Sequence, residues 1–113
     1  MRQYEGDAVD VVVLSQCRKE LDEFPSKVKE DLLDVLRDLH AGLNLSMPLS
    51  KKMSGLGEGV YELRFREVSG IYRVIYLIKK NDAIYLVHAF KKKTNKTPRK
   101  DIEVAQQRIK RIT

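Results

Sequence analysis

The period of the apolar positions changes along the chain, and each change marks an element. Gly6 to Leu14 carries Ala8, Val9, Val11, Val12, Val13 and Leu14, a β-branched run that predicts a first strand. Ser15 is placed to cap a short helix through Leu21, and Pro25, at a first helical position, opens a longer one that Gly42 closes. In that longer helix Val28, Leu32, Val35, Leu36 and Leu39 recur at helical spacing, with Glu30, Asp31, Asp34 and Asp38 on the other side. One stripe therefore docks and the rest is solvated. Gly42 to Gly59, with four glycines and Pro48, reads as a loop crossing towards a sheet; it carries Lys51 and Lys52.

Three strands follow in quick succession: Val60 to Val68, Ile71 to Lys80 and Ala83 to Phe90. Ser69-Gly70 and Asn81-Asp82 between them are two-residue hairpin signals. After Lys91-Lys92-Lys93, Thr97 is placed to cap and Pro98 to start a last helix with Ile102, Ala105, Ile109 and Ile112 on one side. The predicted order is β-α-α-β-β-β-α. It defines an α+β fold in a single domain, residues 1–113, with a small, mainly antiparallel sheet and helices on one face.

Composition bounds what such a domain can be. A chain of 113 residues, 42% of them apolar, fills one core, and no apolar run nears the ~20 residues of a membrane span. Cys17 is the only cysteine, so no intramolecular disulfide forms and the thiol is expected to be inert. The first residues lack the apolar stretch of a secretory signal, which makes the cytoplasm the expected compartment. His40 and His88 stand far apart and alone, so no metal site and no cofactor is indicated. The net charge of +6 is unevenly spread: residues 1–59 carry −3 and residues 60–113 carry +9. Such asymmetry favours a polyanionic partner, usually nucleic acid.

The hairpin registers sort the side chains. A Ser69-Gly70 turn sets Arg66 opposite Arg73, and an Asn81-Asp82 turn sets Ile75 opposite His88 and Arg73 opposite Phe90. One face then collects Tyr61, Leu63, Phe65, Tyr72, Val74, Tyr76, Ile78, Tyr85, Val87 and Ala89 and forms the core. The other carries Glu62, Arg64, Arg66, Arg73, His88, Phe90 and Lys92 towards one end, made partly greasy by Ile71, Ile75, Leu77, Ile84 and Leu86. Opposed arginines repel, so they either pair with Glu62, Glu67 or helix carboxylates or form an anion site matched to phosphate. Lys91, Lys92, Lys93 and Lys96 leave the neighbouring strand at the same end and favour the anion site. Set between arginines, His88 keeps a neutral imidazole available as proton acceptor, or simply packs. Phe90 is the stacking candidate for a base, since the tyrosines fall on the core face.

Three strings then stand out: Leu56-Gly57-Glu58-Gly59-Val60-Tyr61-Glu62-Leu63-Arg64; Gly70-Ile71-Tyr72-Arg73-Val74-Ile75-Tyr76; and His88-Ala89-Phe90-Lys91-Lys92-Lys93-Thr94 with Lys96-Thr97-Pro98. In this order they resemble the RelE/HigB-like toxins of bacterial type II toxin-antitoxin modules, particularly their phage-derived branch. The resemblance implies a ribonuclease fold whose members enter the ribosomal A site, cut mRNA there and are held inactive by a helix-turn-helix antitoxin. It sets Arg64 and Arg73 at the scissile phosphate and Lys91 and Lys92 at the family's basic pair. The charge and stacking reading of the face adds Arg66, Lys91, Lys93, Lys96 and Phe90 as expected RNA contacts. Thr94 to Thr97 lacks the tyrosine some relatives use for proton transfer. The expected function is therefore a ribosome-dependent, metal-independent mRNA endoribonuclease in which the ribose 2′-hydroxyl attacks the adjacent phosphate. Arg64 and Arg73 supply the electrostatics; His88, Glu62, one of Lys91 to Lys93, or the ribosome handles the proton, and Lys92 and His88 complete the expected catalytic set. The alternative is a basic module of the same fold that binds nucleic acid or a partner without chemistry.

Overall fold

The first apolar run forms strand β1, Asp10–Val13, in a computed structural model that describes residues 9–42, 49–79, 82–92 and 96–112. The predicted strand's portion before Val9 lies outside the described residues. β1 pairs in parallel with β5, Ala83–Lys92, from Asp10 opposite Ala83 to Val13 opposite Leu86. The other strands are antiparallel neighbours: β2, Ser50–Lys52; β3, Val60–Glu67; and β4, Gly70–Ile78; the sheet runs β1-β5-β4-β3-β2. β2 lies inside the stretch read as loop. It is three residues long, too short to show alternation.

Helix α1, Ser15–Leu21, starts where β1 stops. Ser15 does not cap it; Leu14 takes that position without a side-chain bond, and its carbonyl accepts the Arg18 N–H at 2.9 Å. Helix α2, Ser26–His40, has Pro25 one place outside its first turn, with the Pro25 carbonyl accepting from Lys29 N–H. Gly42, at φ 82°, ends it as expected, its N–H returning to the Leu39 carbonyl. Val28, Leu32, Val35 and Leu39 are buried against Leu63, Phe65, Tyr72, Val74, Tyr76, Ile84 and Leu86, each fully buried aliphatic contributing roughly 1.5–3 kcal/mol.

Two departures reorganise the sheet. The β3–β4 turn is Val68-Ser69, one place before the predicted Ser69-Gly70, and Glu67 pairs with Gly70. Glu67 closes it by accepting from the Ser69 N–H at 2.7 Å and the Ser69 hydroxyl at 2.6 Å. Gly70 is instead required by its strand neighbour: a Cβ there would lie 3.1 Å from Lys91 Cε and 3.3 Å from the Lys92 carbonyl, at φ 149°. Arg64 rather than Arg66 therefore opposes Arg73. A slip of two places leaves every side chain of the hairpin on its predicted face.

The second departure does change faces. Ile75 opposes His88 and Arg73 opposes Phe90 as predicted, but the register shifts between Ile75 and Tyr76, so that Tyr76 opposes Leu86 and Ile78 opposes Ile84. Ile84 and Leu86 join the α2 core, whereas Val87 and Tyr85 turn to the opposite face. That face is not left wet. Helix α3, Arg99–Ile112, lays Ala105, Ile109 and Ile112 over Val60, Ile75, Leu77 and Val87, with Met53 and Leu56 of the 3₁₀ turn Ser54–Leu56 alongside. The helices thus cover both faces instead of one, and the greasy residues among the arginines are the floor under α3. No helix among the described residues is long and apolar enough to cross a membrane.

Candidate functional site

The α3 side of the sheet carries its chemistry in three rows across β3, β4 and β5. Arg66, Ile71 and Lys92 form the first, Arg64, Arg73 and Phe90 the second, and Glu62, Ile75 and His88 the third. Neighbouring strands are ~4.8 Å apart, so the backbones of Arg66 and Lys92, on either side of Ile71, stand roughly twice that distance from each other. Arg66 and Lys96 are exposed and Lys92 is half-buried. Lys91 is exposed on the other side of β5, its Nζ 5.7 Å from the centre of the Tyr72 ring. Lys93 lies outside the described residues.

Behind this rim the second and third rows are dry. Arg73 has no exposed surface and Glu62 is 1% exposed. Glu62 Oε1 accepts from Arg73 Nη1 at 3.2 Å and from Arg64 Nε at 3.3 Å, and Glu62 Oε2 accepts the Thr97 hydroxyl at 2.8 Å. Arg73 Nη1 also donates to Thr97 Oγ1 at 3.3 Å. The opposed arginines are reconciled by one carboxylate between them, which outweighs their repulsion. Arg73, expected at the scissile phosphate, instead touches Glu62 and Thr97. Thr97, expected as the cap of α3, spends its hydroxyl on Glu62. Arg64 keeps a 15% exposed side chain and is the arginine of the pair that reaches the surface.

His88 stands in a different cluster from the one its strand neighbours suggested. It is 5% exposed, with Nε2 2.7 Å from Asp101 Oδ1 on α3 and Nδ1 3.0 Å from Glu20 Oε1 on α1. Carboxylates only accept, so Nε2 faces Asp101 as a donor; Nδ1 lies between the Glu20 carboxylate, an acceptor, and Arg108 Nη1, a donor 3.3 Å away. The ring's polar partners, Glu20, Asp101 and Arg108, come from α1 and α3, and not from the arginines of the sheet. Arg108 grips Glu20 with Nη1 and Nη2, each at 2.9 Å, and gives Nη1 to the Val87 carbonyl. Glu20 also accepts the Ala89 N–H at 3.0 Å, occupying the edge of β5 beyond the end of β1. Burial pushes the Glu20 carboxyl up, but hydrogen bonds from His88, Arg108 and Ala89 outweigh it and hold the group at about 2. Phe90 stacks on His88 with centroids 5.1 Å apart and is half-buried. Burial, then the Glu20 charge, pushes the Cys17 thiol up to about 12, in keeping with an inert cysteine.

Glu20, Asp101 and Arg108 were not singled out from sequence, and Thr97 only as a helix cap. A signal existed for two of them: Asp101 and Arg108 fall on the same stripe of α3 as Ala105 and Ile112, at spacings of three and four. Polar residues on an apolar stripe mark buried partners.

The fold and the basic rim define a class. The model of the family described as Phage derived protein Gp49-like matches residues 19–110, and the chain belongs to that family. Among solved structures, a mutant of the E. coli toxin RelE in the free state is similar at a TM-score of 0.65 and 20% identity, over 94% of this chain and 99% of that one. The toxin-antitoxin complex RelBE2 from Mycobacterium tuberculosis is similar at a TM-score of 0.50 and 15% identity, over 75% of this chain and 99% of the other. The chain therefore has a RelE-like α+β fold. No curated protein sequence matches it.

Proposed function

We propose that this protein is the toxin of a type II toxin-antitoxin module, an endoribonuclease that cuts mRNA in the ribosomal A site and is held inactive by a helix-turn-helix antitoxin in the cytoplasm. The observation that carries the reading is the row Arg66, Ile71, Lys92 with Arg64 behind it, a strip of positive charge at one end of a RelE-like sheet. Lys96 adds an exposed positive charge in the segment after β5; Lys91 lies on the opposite side of that strand, and Lys93 lies outside the described residues.

In this reading the ribose 2′-hydroxyl attacks the adjacent phosphate, and Arg64 stabilises the extra negative charge of the phosphorane. A preorganised donor of this kind is typically worth ~10² to 10³ in rate. Arg64 cannot be the base, since a guanidinium keeps its proton at neutral pH. His88 and Glu62 are buried and engaged with other side chains. Proton transfer therefore falls to Lys91 or Lys92, with Lys92 preferred because it shares the Arg64 face, or to the ribosome. Phe90, half-buried beside His88, is the ring of this face on which a base would stack.

A second reading has its own support: a basic module of the same fold that binds RNA or a partner without cutting it. The burial of Arg73 and His88, both expected in the catalytic set, favours it. Purified protein incubated with translating ribosomes separates the two. Cleavage of the mRNA at the A-site codon, lost in Arg64→Ala, supports the toxin; tight binding with intact mRNA supports the module.

A further inference from the structure

Glu62 is a fully buried carboxylate whose oxygens are occupied on every side the fold presents. Its Oε1 takes Arg64 Nε and Arg73 Nη1, and its Oε2 takes the Thr97 hydroxyl. Thr97 also receives Arg73 Nη1, so carboxylate, guanidinium and hydroxyl form a closed ring. Three chain segments meet there: β3, β4 and the residues leading into α3. A charge pair this deep, 0% and 1% exposed, is not explained by stability alone, because buried ion pairs roughly break even against apolar residues of the same volume. Its distinctive product is geometric. Arg64 is bound through Nε, which fixes the plane of the guanidinium and, through it, where its other nitrogens point.

We infer that Glu62 is a positioning residue for Arg64, and that Arg73 and Thr97 act through it by locking its carboxylate. Arg73 is then needed without touching the RNA, and Thr97, from the segment after the lysines, couples that segment to the pose of the arginine on the sheet. The inference deepens the ribonuclease reading and rests on it for its activity arm only. Misplacing a reacting group by about 1 Å can cost ~10² in rate, so loosening Glu62 should slow chemistry while leaving RNA affinity in place.

Thr97 is the point at which to test it, since Arg73→Ala or Glu62→Ala would strand a buried charge and could unfold the chain. Thr97→Val removes only the hydroxyl; Thr97→Ser keeps it. The first readout is hydrogen exchange at the Arg64 Nε–H, followed by NMR on the folded protein: about tenfold faster in Thr97→Val and restored in Thr97→Ser is expected. The second is single-turnover cleavage on ribosomes, expected to fall at least ~10-fold in Thr97→Val at a half-saturation constant unchanged within twofold, with Thr97→Ser close to wild type. Adding Thr97→Val to Arg64→Ala should cost nothing further, because the hydroxyl acts through the arginine. Exchange at Arg64 that ignores the hydroxyl, or a Thr97→Val loss that adds in full to that of Arg64→Ala, overturns the positioning role. Exchange that follows the hydroxyl in a protein that cuts no RNA upholds the coupling and overturns the ribonuclease reading instead.

Discussion

Two polar clusters lie buried on the same side of the sheet, and they are built to opposite charge arithmetic. Around Glu62, Arg64 and Arg73 share a single carboxylate; around His88, the carboxylates of Glu20 and Asp101 meet one guanidinium and one imidazole. Among the described residues the first sets two guanidiniums on one carboxylate, and it sits one row behind the exposed Arg66 and the half-buried Lys92. The second sets two carboxylates on one guanidinium and one imidazole, and its members come from α1, β5 and α3, which it clasps together. Positive charge gathered beside a surface is what a polyanion reads. Side chains bonded between two helices and a strand are what hold elements in place.

The contrast makes separable predictions. Arg64→Ala should lower cleavage by ~10² to 10³ while the thermal midpoint moves little, because the side chain is near the surface and Arg73 still neutralises Glu62. His88→Ala should do the reverse. Asp101 Oδ2 already has no hydrogen-bond partner among the described residues, so losing His88 strands that carboxylate at a cost of about 3–5 kcal/mol in urea unfolding. The cleavage rate per folded molecule should stay within threefold, whereas a general base would contribute ~10² or more. A large rate loss in folded His88→Ala would erase the distinction between the clusters.

The clasp also sets an acid limit. Glu20 is held at about 2 against an ordinary 4.5, so its contribution to stability is fully present above about pH 4.5 and is lost as pH falls towards 2. The loss is at most about 3 kcal/mol, and less where solvent screens the exposed part of the group. Urea midpoints measured from pH 6 to 2 should drop through that window in the wild type and much less in Glu20→Gln. The smallest effect belongs to the rim: Lys92→Ala or Lys96→Ala should reduce the slope of log affinity against log salt by about one each, and Glu20→Gln should leave it unchanged.

What sequence could reveal follows the reach of each interaction. The faces of β3 and β4 were legible because a two-place slip preserves parity, so misplacing the turn by one residue did no harm to Arg64, Arg66 or Arg73. The bulge at Val87 was not, since Leu86 and Val87 are equally apolar and nothing local says which turns inward. Gly70 looked like a turn residue but is needed for the approach of Lys91 and Lys92, a contact between strands. The partners of His88 lie 68 and 13 positions away in sequence, beyond any periodicity argument. Arg73 carried both readings from the start, and its pairing with Glu62 was the structural one of the two.

The proposal that this fold cuts RNA with a basic strip is tested most directly by the ends it leaves. Translating ribosomes carrying a defined mRNA, incubated with purified protein in excess chelator after assembly, should yield a 2′,3′-cyclic phosphate and a 5′-hydroxyl at the A-site codon. The same mRNA with a 2′-deoxy ribose at the cleavage position should stay intact. Cleavage of the deoxy substrate, a 5′-phosphate end, or a need for added magnesium in the chemical step would contradict the account.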